Sequence, residues 1–180
     1  IGPALTAFGV TGVLADPVLT VTDANNSVVS TNDNWAAGTN SNQIVAVTTR
    51  VGAFALATTA LDAALVANLT PGSYSAVVTG KTPAPGIALM EAYDTSTTNT
   101  SARLINMSAR TNVGTGGSIL IVGFAIQGDA PKQVLIRAIG PSLTQFGVTG
   151  VLADPQLALF RQGTTQPIQQ NDNWLAATNA

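Results

Sequence analysis

The sequence contains neither cysteine nor histidine, and charged residues make up only 9% of its 180 positions. Without these two side chains, disulfide staples, cysteine nucleophiles, histidine-based triads and ordinary zinc sites are all excluded. A typical soluble domain carries about 25% charged residues, and here Thr, Ser, Asn, Ala and Gly fill the deficit. Polar but uncharged surfaces of this kind suit secreted or closely packed proteins, in which neighbours cover much of each subunit.

Further absences limit the partners and the chemistry of the chain. It has no apolar run of 18 or more residues, so the sequence predicts no membrane span. A net charge of −2 leaves no basic surface for nucleic acid. No spacing among the nine carboxylates indicates a glycosidase-type acid and base pair. We therefore predict a protein that is not an enzyme and that needs no cofactor, with calcium as the one ion left open.

What the sequence does contain is an internal repeat. IGPALTAFGVTGVLADP begins at Ile1 and returns at Ile139 as IGPSLTQFGVTGVLADP, with only two changes. A second landmark, Asn-Asp-Asn-Trp, stands at 32–35 and again at 171–174. The chain thus holds one repeat period of about 138 residues and a second copy of its first part. Self-similarity of this kind is typical of repeat arrays.

The repeat also predicts the domain organisation. Residues 1–35 form a partial repeat, which we call the first copy, and residues 139–174 form its equivalent, the second copy. Residues 36–180 make up one repeat unit. The segment KQVLIRA at 132–138 leads into the second copy, whereas the first copy begins at Ile1 without it. We therefore expect that the sequence begins within a repeat.

Each copy is predicted to form a β-hairpin after its Asp-Pro pair. Apolar and polar residues alternate on both sides of a polar turn, which favours two half-buried strands. The second hairpin has one more residue than the first, and the insertion falls in the turn, where loops tolerate it. The apolar residues that we expect on the shared face of these hairpins are Leu19, Val21, Val29, Leu157, Leu159 and Ile168.

The remaining segments favour an all-β fold. Short apolar or alternating runs are separated by Gly, Pro, Asn and Asp turns, as in β-sandwiches. The expected strands lie at 73–79, 87–93, 103–110, 118–126 and 133–139; residues 118–126 are apolar on both faces and predict a central strand. Residues 36–70 are compatible with a short helix, a loop or a buried strand. The predicted fold is an antiparallel β-sandwich, jelly-roll-like, with about eight strands per repeat.

The two hairpins compete for one place in this predicted fold. One sandwich has a single slot for them, so the surplus hairpin is expected to complete a neighbour. An unused edge strand would be an aggregation liability. Strand addition between neighbours is head-to-tail and can propagate into filaments. The predicted partner is therefore the chain itself, either as a homopolymer or as consecutive repeats of one polypeptide; a truncated single domain is the remaining alternative.

The hairpin ends also suggest a calcium site. Calcium takes clustered carboxylate and amide oxygens, and the Asn-Asp-Asn-Trp landmark supplies Asp33 and its counterpart Asp172. Asp23 and Asn25 lie across the first hairpin. The competing interpretation is that these side chains cap turns while Trp35 packs against the end of the fold.

One buried ion pair is also predicted. Glu91 shares a strand face with apolar neighbours in 87–93, and a core-facing carboxylate must be paired or protonated. Arg137, flanked by Ile136 and Ala138, is the natural partner, and Arg103 and Arg110 are the alternatives.

Several segments together carry a family resemblance. LINMSAR at 104–110, GFAIQG at 123–128, residues 134–143 and the 171–174 landmark resemble the tandem β-sandwich repeats of large secreted bacterial surface proteins. PGSYSAVV at 71–78 is similar to bacterial pre-peptidase-type extracellular domains. The resemblance implies an extracellular location and a structural or adhesive role without catalytic residues. We thus expect a structural subunit of an extracellular bacterial filament or surface array; the alternative is a calcium- or carbohydrate-binding accessory module of a secreted protein.

Overall fold

The computed structural model describes residues 1–96 and 102–173, which belong to two compact units, Ile1–Asn106 and Met107–Ala180. The described residues form a small mixed fold rather than a sandwich. They contain five short strands in two sheets, one α-helix and three 3-10 helices. The prediction of an eight-strand β-sandwich or jelly roll is therefore wrong.

A three-stranded sheet forms the centre of the first unit. Strand β1 (Pro17–Asp23) lies in the middle, with β2 (Val28–Asn32) and β3 (Tyr74–Gly80) antiparallel on its two sides. The turn between β1 and β2 is closed by the Asp23 carboxylate, which accepts hydrogen bonds from two turn amides. Asn26 has a φ of 61°, a left-handed conformation that asparagine tolerates better than most residues. The local turn chemistry therefore sets the hairpin.

The helix α1 (Ser41–Val51) lies within residues 36–70, for which the sequence was compatible with a helix, a loop or a buried strand. Its β-branched residues are poor helix formers, so the helix depends on tertiary packing of Ile44, which is buried. It ends at Gly52, where a φ of 73° lets the backbone N–H bond the carbonyls of the last turn. The buried apolar residues of the described chain are Leu5, Leu14, Val21, Trp35, Ile44 and Ala63.

The second unit contains little regular structure. Its elements are the 3-10 helix Pro141–Phe146, strand β4 (Leu157–Phe160) and strand β5 (Pro167–Asn171), which pair as an antiparallel hairpin. The predicted strands at 118–126 and 133–139 are absent, and Ile121 and Leu135 are 80% and 85% exposed. A strand needs a hydrogen-bonded neighbour, which an apolar pattern does not supply. The prediction of a strand at 103–110 is wrong for the same reason.

Both predicted hairpins are confirmed, and they have the same register. Leu19 pairs with Asn32 in the first, and Leu157 pairs with Asn171 in the second. Each hairpin has a β-bulge at the corresponding step, between Val21 and Thr22 or between Leu159 and Phe160. The first copy and the second copy therefore present the same strand geometry.

The bulge changes which apolar residues share a face. Val21 is buried, but Val29 is 44% exposed and its counterpart Ile168 is 56% exposed. In the first hairpin Val21 pairs with Ser30 and Thr22 pairs with Val28, so Val29 has no partner in β1. In the second hairpin Ile168 is left without a partner in β4 in the same way. An extra residue of this kind bends the strand and disrupts its alternation. The assignment of Val29 and Ile168 to the inner face is therefore a correction that the bulge explains.

Candidate functional site

The candidate site is the surface on which the first copy is held in its own unit. We call this surface, formed by residues 54–89, the acceptor. It contacts the first copy along most of its length, from Ile1 to Trp35. The contacts fall into four groups, which follow the chain in order.

The first group centres on Asp62, which is fully buried. Its Oδ1 accepts a hydrogen bond of 2.7 Å from the Gly2 amide, and its Oδ2 accepts one of 3.1 Å from the Ala4 amide. Amides at the start of a helix lack partners within the helix, and Ala4 lies in the first turn of the 3-10 helix Pro3–Phe8. A carboxylate 60 residues away thus caps this helix with charge-assisted bonds, which are stronger than neutral ones.

The position of Gly2 leaves no room for a side chain. A Cβ atom there would overlap the carbonyl oxygen of Leu14. The close approach folds the loop between Gly2 and Leu14 back on itself. Leu5 and Leu14 are both buried as a result.

The second group is a short parallel pairing with Ile87. The Ile87 amide donates to the Gly12 carbonyl at 2.8 Å, and the Ile87 carbonyl accepts from the Leu14 amide at 2.8 Å. Val13 and Ile87 therefore form an isolated parallel bridge. The strand predicted at 87–93 is wrong, because this bridge is its only β pairing in the described residues.

The third group is the ladder between β1 and β3. It runs from the Pro17–Gly80 pair to the Asp23–Tyr74 pair, and a bond from the Lys81 amide to the Asp16 carbonyl extends it. The prediction of a strand at 73–79 is confirmed with a shift of one residue. Strand β3 makes the acceptor a sheet edge that the first copy completes.

The fourth group consists of separate acceptor contacts made by three residues of the Asn-Asp-Asn-Trp landmark. Asn32 Oδ1 accepts from the Ala64 amide at 3.0 Å, and Asp33 forms an ion pair with Lys81. Trp35 is buried; its amide donates to the Asp62 carbonyl, and its indole N–H donates to Ala57. Trp35 therefore packs as the alternative interpretation of the landmark expects.

The ion pair between Lys81 and Asp33 changes the pKa of Lys81 but is weak. The hydrogen bond with Asp33, followed by the charge of Asp33, raises the pKa of Lys81 above its ordinary value. Both side chains remain partly exposed to solvent, and solvent-exposed pairs of this kind stabilise proteins only weakly. The pair contributes more to alignment than to affinity.

The predicted calcium residues do not converge. Asp23 closes the hairpin turn through bonds to Asn25 and Ser27, while Asp33 follows the residue that pairs with Leu19. At about 3.3 Å per residue, the two carboxylates are more than about 10 Å apart, too far for one calcium ion. Asp172 belongs to the second unit, and the described residues contain no group of three acidic side chains suited to a metal. Calcium binding stays a prediction.

The predicted ion pair of Glu91 and Arg137 is also untested. Glu91 is exposed in the first unit, where it accepts a 3.1 Å hydrogen bond from the Tyr93 hydroxyl. Partial burial, and next the bond to Glu91, raise the pKa of Tyr93. Arg137 lies in the second unit and is exposed. The pair stays a prediction, although the burial from which it was argued is absent for Glu91.

The residue that sequence reasoning missed is Asp62. It stands alone as a carboxylate in the run Leu61-Asp62-Ala63-Ala64-Leu65. An isolated charge in an apolar run must have a hydrogen-bonded partner if the run is buried. That signal could have identified it, although its partners at Gly2 and Ala4 could not be read from spacing.

The second copy has the same local structure as the first but lacks its contacts. Leu14 is 8% exposed in the first copy, whereas its counterpart Leu152 is 38% exposed. Phe8 packs edge-on against Phe54, with ring centroids 5.0 Å apart, and is 62% exposed, whereas its counterpart Phe146 is 78% exposed. The amides of Gly140 and Ser142, which correspond to those held by Asp62, have no acceptor among the described residues. Trp174, the counterpart of Trp35, lies outside the described residues.

An open hollow of about 410 Å³ lies against the second hairpin. Residues 156–158 and 170–172 line it. The corresponding residues of the first hairpin include Asn32 and Asp33, which bind Ala64 and Lys81 of the acceptor. The hollow therefore lies beside the residues whose counterparts contact the acceptor in the first unit.

The chain was compared with protein-family models, with curated proteins and with solved structures, and no match was found. Within residues 1–96 and 102–173, no helix has both the length and the apolar character needed to cross a membrane. The repeat and the acceptor are therefore the features of the chain from which its function is inferred.

Proposed function

We propose that the chain is a structural repeat of an extracellular filament or surface array, in which neighbouring units are joined head to tail through the repeated segment. One observation carries the proposal. Leu5, Leu14 and Pro17 of the repeated motif are buried in the first unit, whereas their counterparts Leu143, Leu152 and Pro155 are not buried in the second. The extracellular location is supported by the resemblance to secreted bacterial surface repeats and by the scarcity of charge.

The exposed second copy supplies the driving force for association. The side chain of Leu152 would leave water on binding, since its counterpart Leu14 is buried, and removal of apolar surface from water favours association. A free β4 edge adds backbone hydrogen bonds of the kind used in strand addition. Donor and acceptor surfaces differ, so the contact is heterologous, and such contacts form open filaments or rings.

Two arrangements satisfy the proposal. The second copy joins either a separate chain or the next repeat of one continuous polypeptide. Both place a copy of residues 1–35 or 139–174 against an acceptor. They differ in whether assembly depends on concentration, because a covalent neighbour is held at high effective concentration.

Electron microscopy and analytical ultracentrifugation of the purified chain test the proposal. We expect head-to-tail oligomers that grow with protein concentration and appear as filaments or rings with one regular repeat. Monodisperse monomers throughout the micromolar to millimolar range would overturn assembly between separate chains. A longer protein with several repeats then tests the continuous arrangement, since it should appear as a regularly beaded rod.

Calcium binding is the second candidate function, and one observation favours it. Asp16 Oδ1, Asp33 Oδ1 and Asn34 Oδ1 are buried and accept no hydrogen bond in the described structure. Lys81 contacts both acidic residues, because its amide donates to the Asp16 carbonyl and its ammonium pairs with Asp33. Calcium should raise the melting temperature of the chain, magnesium should not, and Asp33→Asn should remove the effect. An unchanged melting temperature with calcium would remove this candidate.

A further inference from the structure

We propose that the second copy binds the acceptor of another copy of this chain, in place of that copy's residues 1–35. The carboxylate of Asp62 recognises it by accepting hydrogen bonds from the amides of Gly140 and Ser142. This inference rests on the proposed head-to-tail function and names its partner, its contact residues and its register.

The second copy already has the shape that the acceptor holds. Gly140 has φ −120° and ψ −81°, close to the −131° and −73° of Gly2. The 3-10 helix Pro141–Phe146 ends at a left-handed Gly147, as Pro3–Phe8 ends at Gly9. A Cβ at Gly140 would overlap the carbonyl oxygen of Leu152, as one at Gly2 would overlap that of Leu14. Little ordering is left to occur on binding, and preorganisation of this kind increases affinity.

The two sequence changes in the repeated motif leave the contacts intact. Ser142 replaces Ala4, but Asp62 binds this position through the backbone amide, which both residues have. Gln145 replaces Ala7, which is exposed in the first copy. Neither change therefore removes a backbone donor that the acceptor uses.

The shared hairpin register predicts which residues meet. Thr20 pairs with Val77 in the first copy, and its counterpart in the second copy is Ala158, because Leu157 and Leu19 occupy the same register position. Ala158 should therefore lie opposite Val77 of the other chain. By the same correspondence, Asp172 should pair with Lys81 and Phe146 should pack against Phe54.

Over the 17-residue motif the two copies offer nearly the same groups, so exchange is close to balanced there, whereas the hairpins differ, with Leu159 in place of the buried Val21. The resident first copy has the advantage of being in the same chain, which gives it a high effective concentration. Exchange of identical elements between protomers is a low-cost route to association. We therefore expect the second copy to displace the first copy from the acceptor at high protein concentration, or whenever a substitution weakens the binding of the first copy.

Disulfide trapping tests the register, and the absence of cysteine makes every introduced thiol unique. Two full-length variants, Val77→Cys and Ala158→Cys, are mixed at high concentration and oxidised, and linked peptides are identified by mass spectrometry. We expect the 77–158 link between chains. Thr20→Cys with Val77→Cys in one chain is the positive control, since these residues already pair. Val77→Cys mixed with Gln162→Cys, which lies in an exposed turn, is the matched negative control.

Two results of the trapping experiment would overturn the inference. In one, the 20–77 link forms but the 77–158 link does not exceed the 77–162 background. In the other, a 77–158 link forms when both cysteines are in one chain but never between chains, so that the second copy binds only its own acceptor.

A matched glycine pair tests the mechanism without cysteines. Gly140→Ala disrupts the second copy and should abolish assembly, whereas Gly2→Ala disrupts the first copy, vacates the acceptor and should increase assembly at the same protein concentration. Gly123→Ala, where a Cβ has nothing within 4 Å and φ is not positive, should change nothing. If Gly2→Ala and Gly140→Ala reduce assembly equally, exchange at the acceptor is wrong.

The trapping result and the microscopy separate this inference from the proposed function. Filaments without a 77–158 link would leave the function standing and overturn the exchange. Linked dimers without filaments or rings would support the exchange and overturn the structural function.

Discussion

The carboxylate of Asp62 binds the amide of Gly2 at 2.7 Å, although the two residues are 60 positions apart in sequence. Asp62 is fully buried, and the bond fixes the start of the first copy against the acceptor. The same residue also accepts a bond from the Trp35 amide through its backbone carbonyl. The side chain of Asp62 thus holds the start of the first copy, and its backbone carbonyl holds the Trp35 end. Replacement of the side chain should loosen the start directly.

Asp62→Asn should lower the free energy of unfolding of the first unit by about 2–3 kcal/mol, the range for hydrogen bonds to a charged group. An amide has only one acceptor oxygen, so one buried N–H is left without a partner. Urea denaturation followed by circular dichroism measures the loss. Asp129→Asn, at an exposed position, is the control, and an equal loss in both variants would contradict a special role for Asp62.

Leu14→Ala and Leu152→Ala form a matched pair in the two copies. Leu14 is buried, so its truncation should lower the free energy of unfolding by about 2–4 kcal/mol. Leu152 is more than one-third exposed, so its truncation should cost about 1 kcal/mol or less in the monomer. The order should reverse in assembly, where Leu152→Ala weakens association and Leu14→Ala promotes it. Chemical denaturation and sedimentation give the two readouts.

The pKa of the Lys81 ammonium should be raised above the ordinary lysine value, and carbon-detected NMR titration of its side chain measures it. A pKa that is higher in the folded state stabilises the fold below the unfolded-state pKa of about 10.4, and this contribution is lost as pH rises above the folded value. Asp33→Asn should bring the Lys81 pKa down. An unchanged pKa in this variant would show that Asp33 is not the partner in solution.

Trp35 should report whether the acceptor is occupied. In a Trp174→Phe background it is the only tryptophan, and its burial predicts a blue-shifted fluorescence emission. Adding Asp62→Asn should shift the emission to the red, because the side chain at 62 then holds Gly2 and Ala4 less well and the first copy leaves the acceptor more readily. Acrylamide quenching provides an independent measure of exposure. Emission that is red-shifted before any change at Asp62 would contradict the burial of Trp35.

The repeat made the hairpins predictable. A single insertion between two alternating segments located the turn without recourse to propensity, and strands β1, β2, β4 and β5 lie where that argument placed them. Strand β3 was predictable because Pro71-Gly72 marks the turn that precedes it. These features depend on neighbours in sequence, or on comparison of the chain with itself.

The features that were not predictable depend on distant partners. Helix α1 has a β-branched sequence that propensity alone assigns to no state, and Asp62 meets Gly2 only after the chain has folded. The sandwich prediction was wrong because runs such as 118–126 specify faces but not strand partners. The position of Val29 was missed because one bulged residue reverses the alternation.

The parallel bridge between Val13 and Ile87 has a mechanical consequence in the proposed filament. In such a filament, a pulling force would act on each joint at two points, which are the start of the second copy of one chain and the end of the acceptor of its neighbour. In the antiparallel ladder these two points lie at the same end, where Pro17 pairs with Gly80, so pulling would open the pairs one at a time. In the parallel pairing they lie at opposite ends, so pulling would shear the bonds to Ile87 together. That short pairing would therefore bear the load before the longer ladder could begin to unzip.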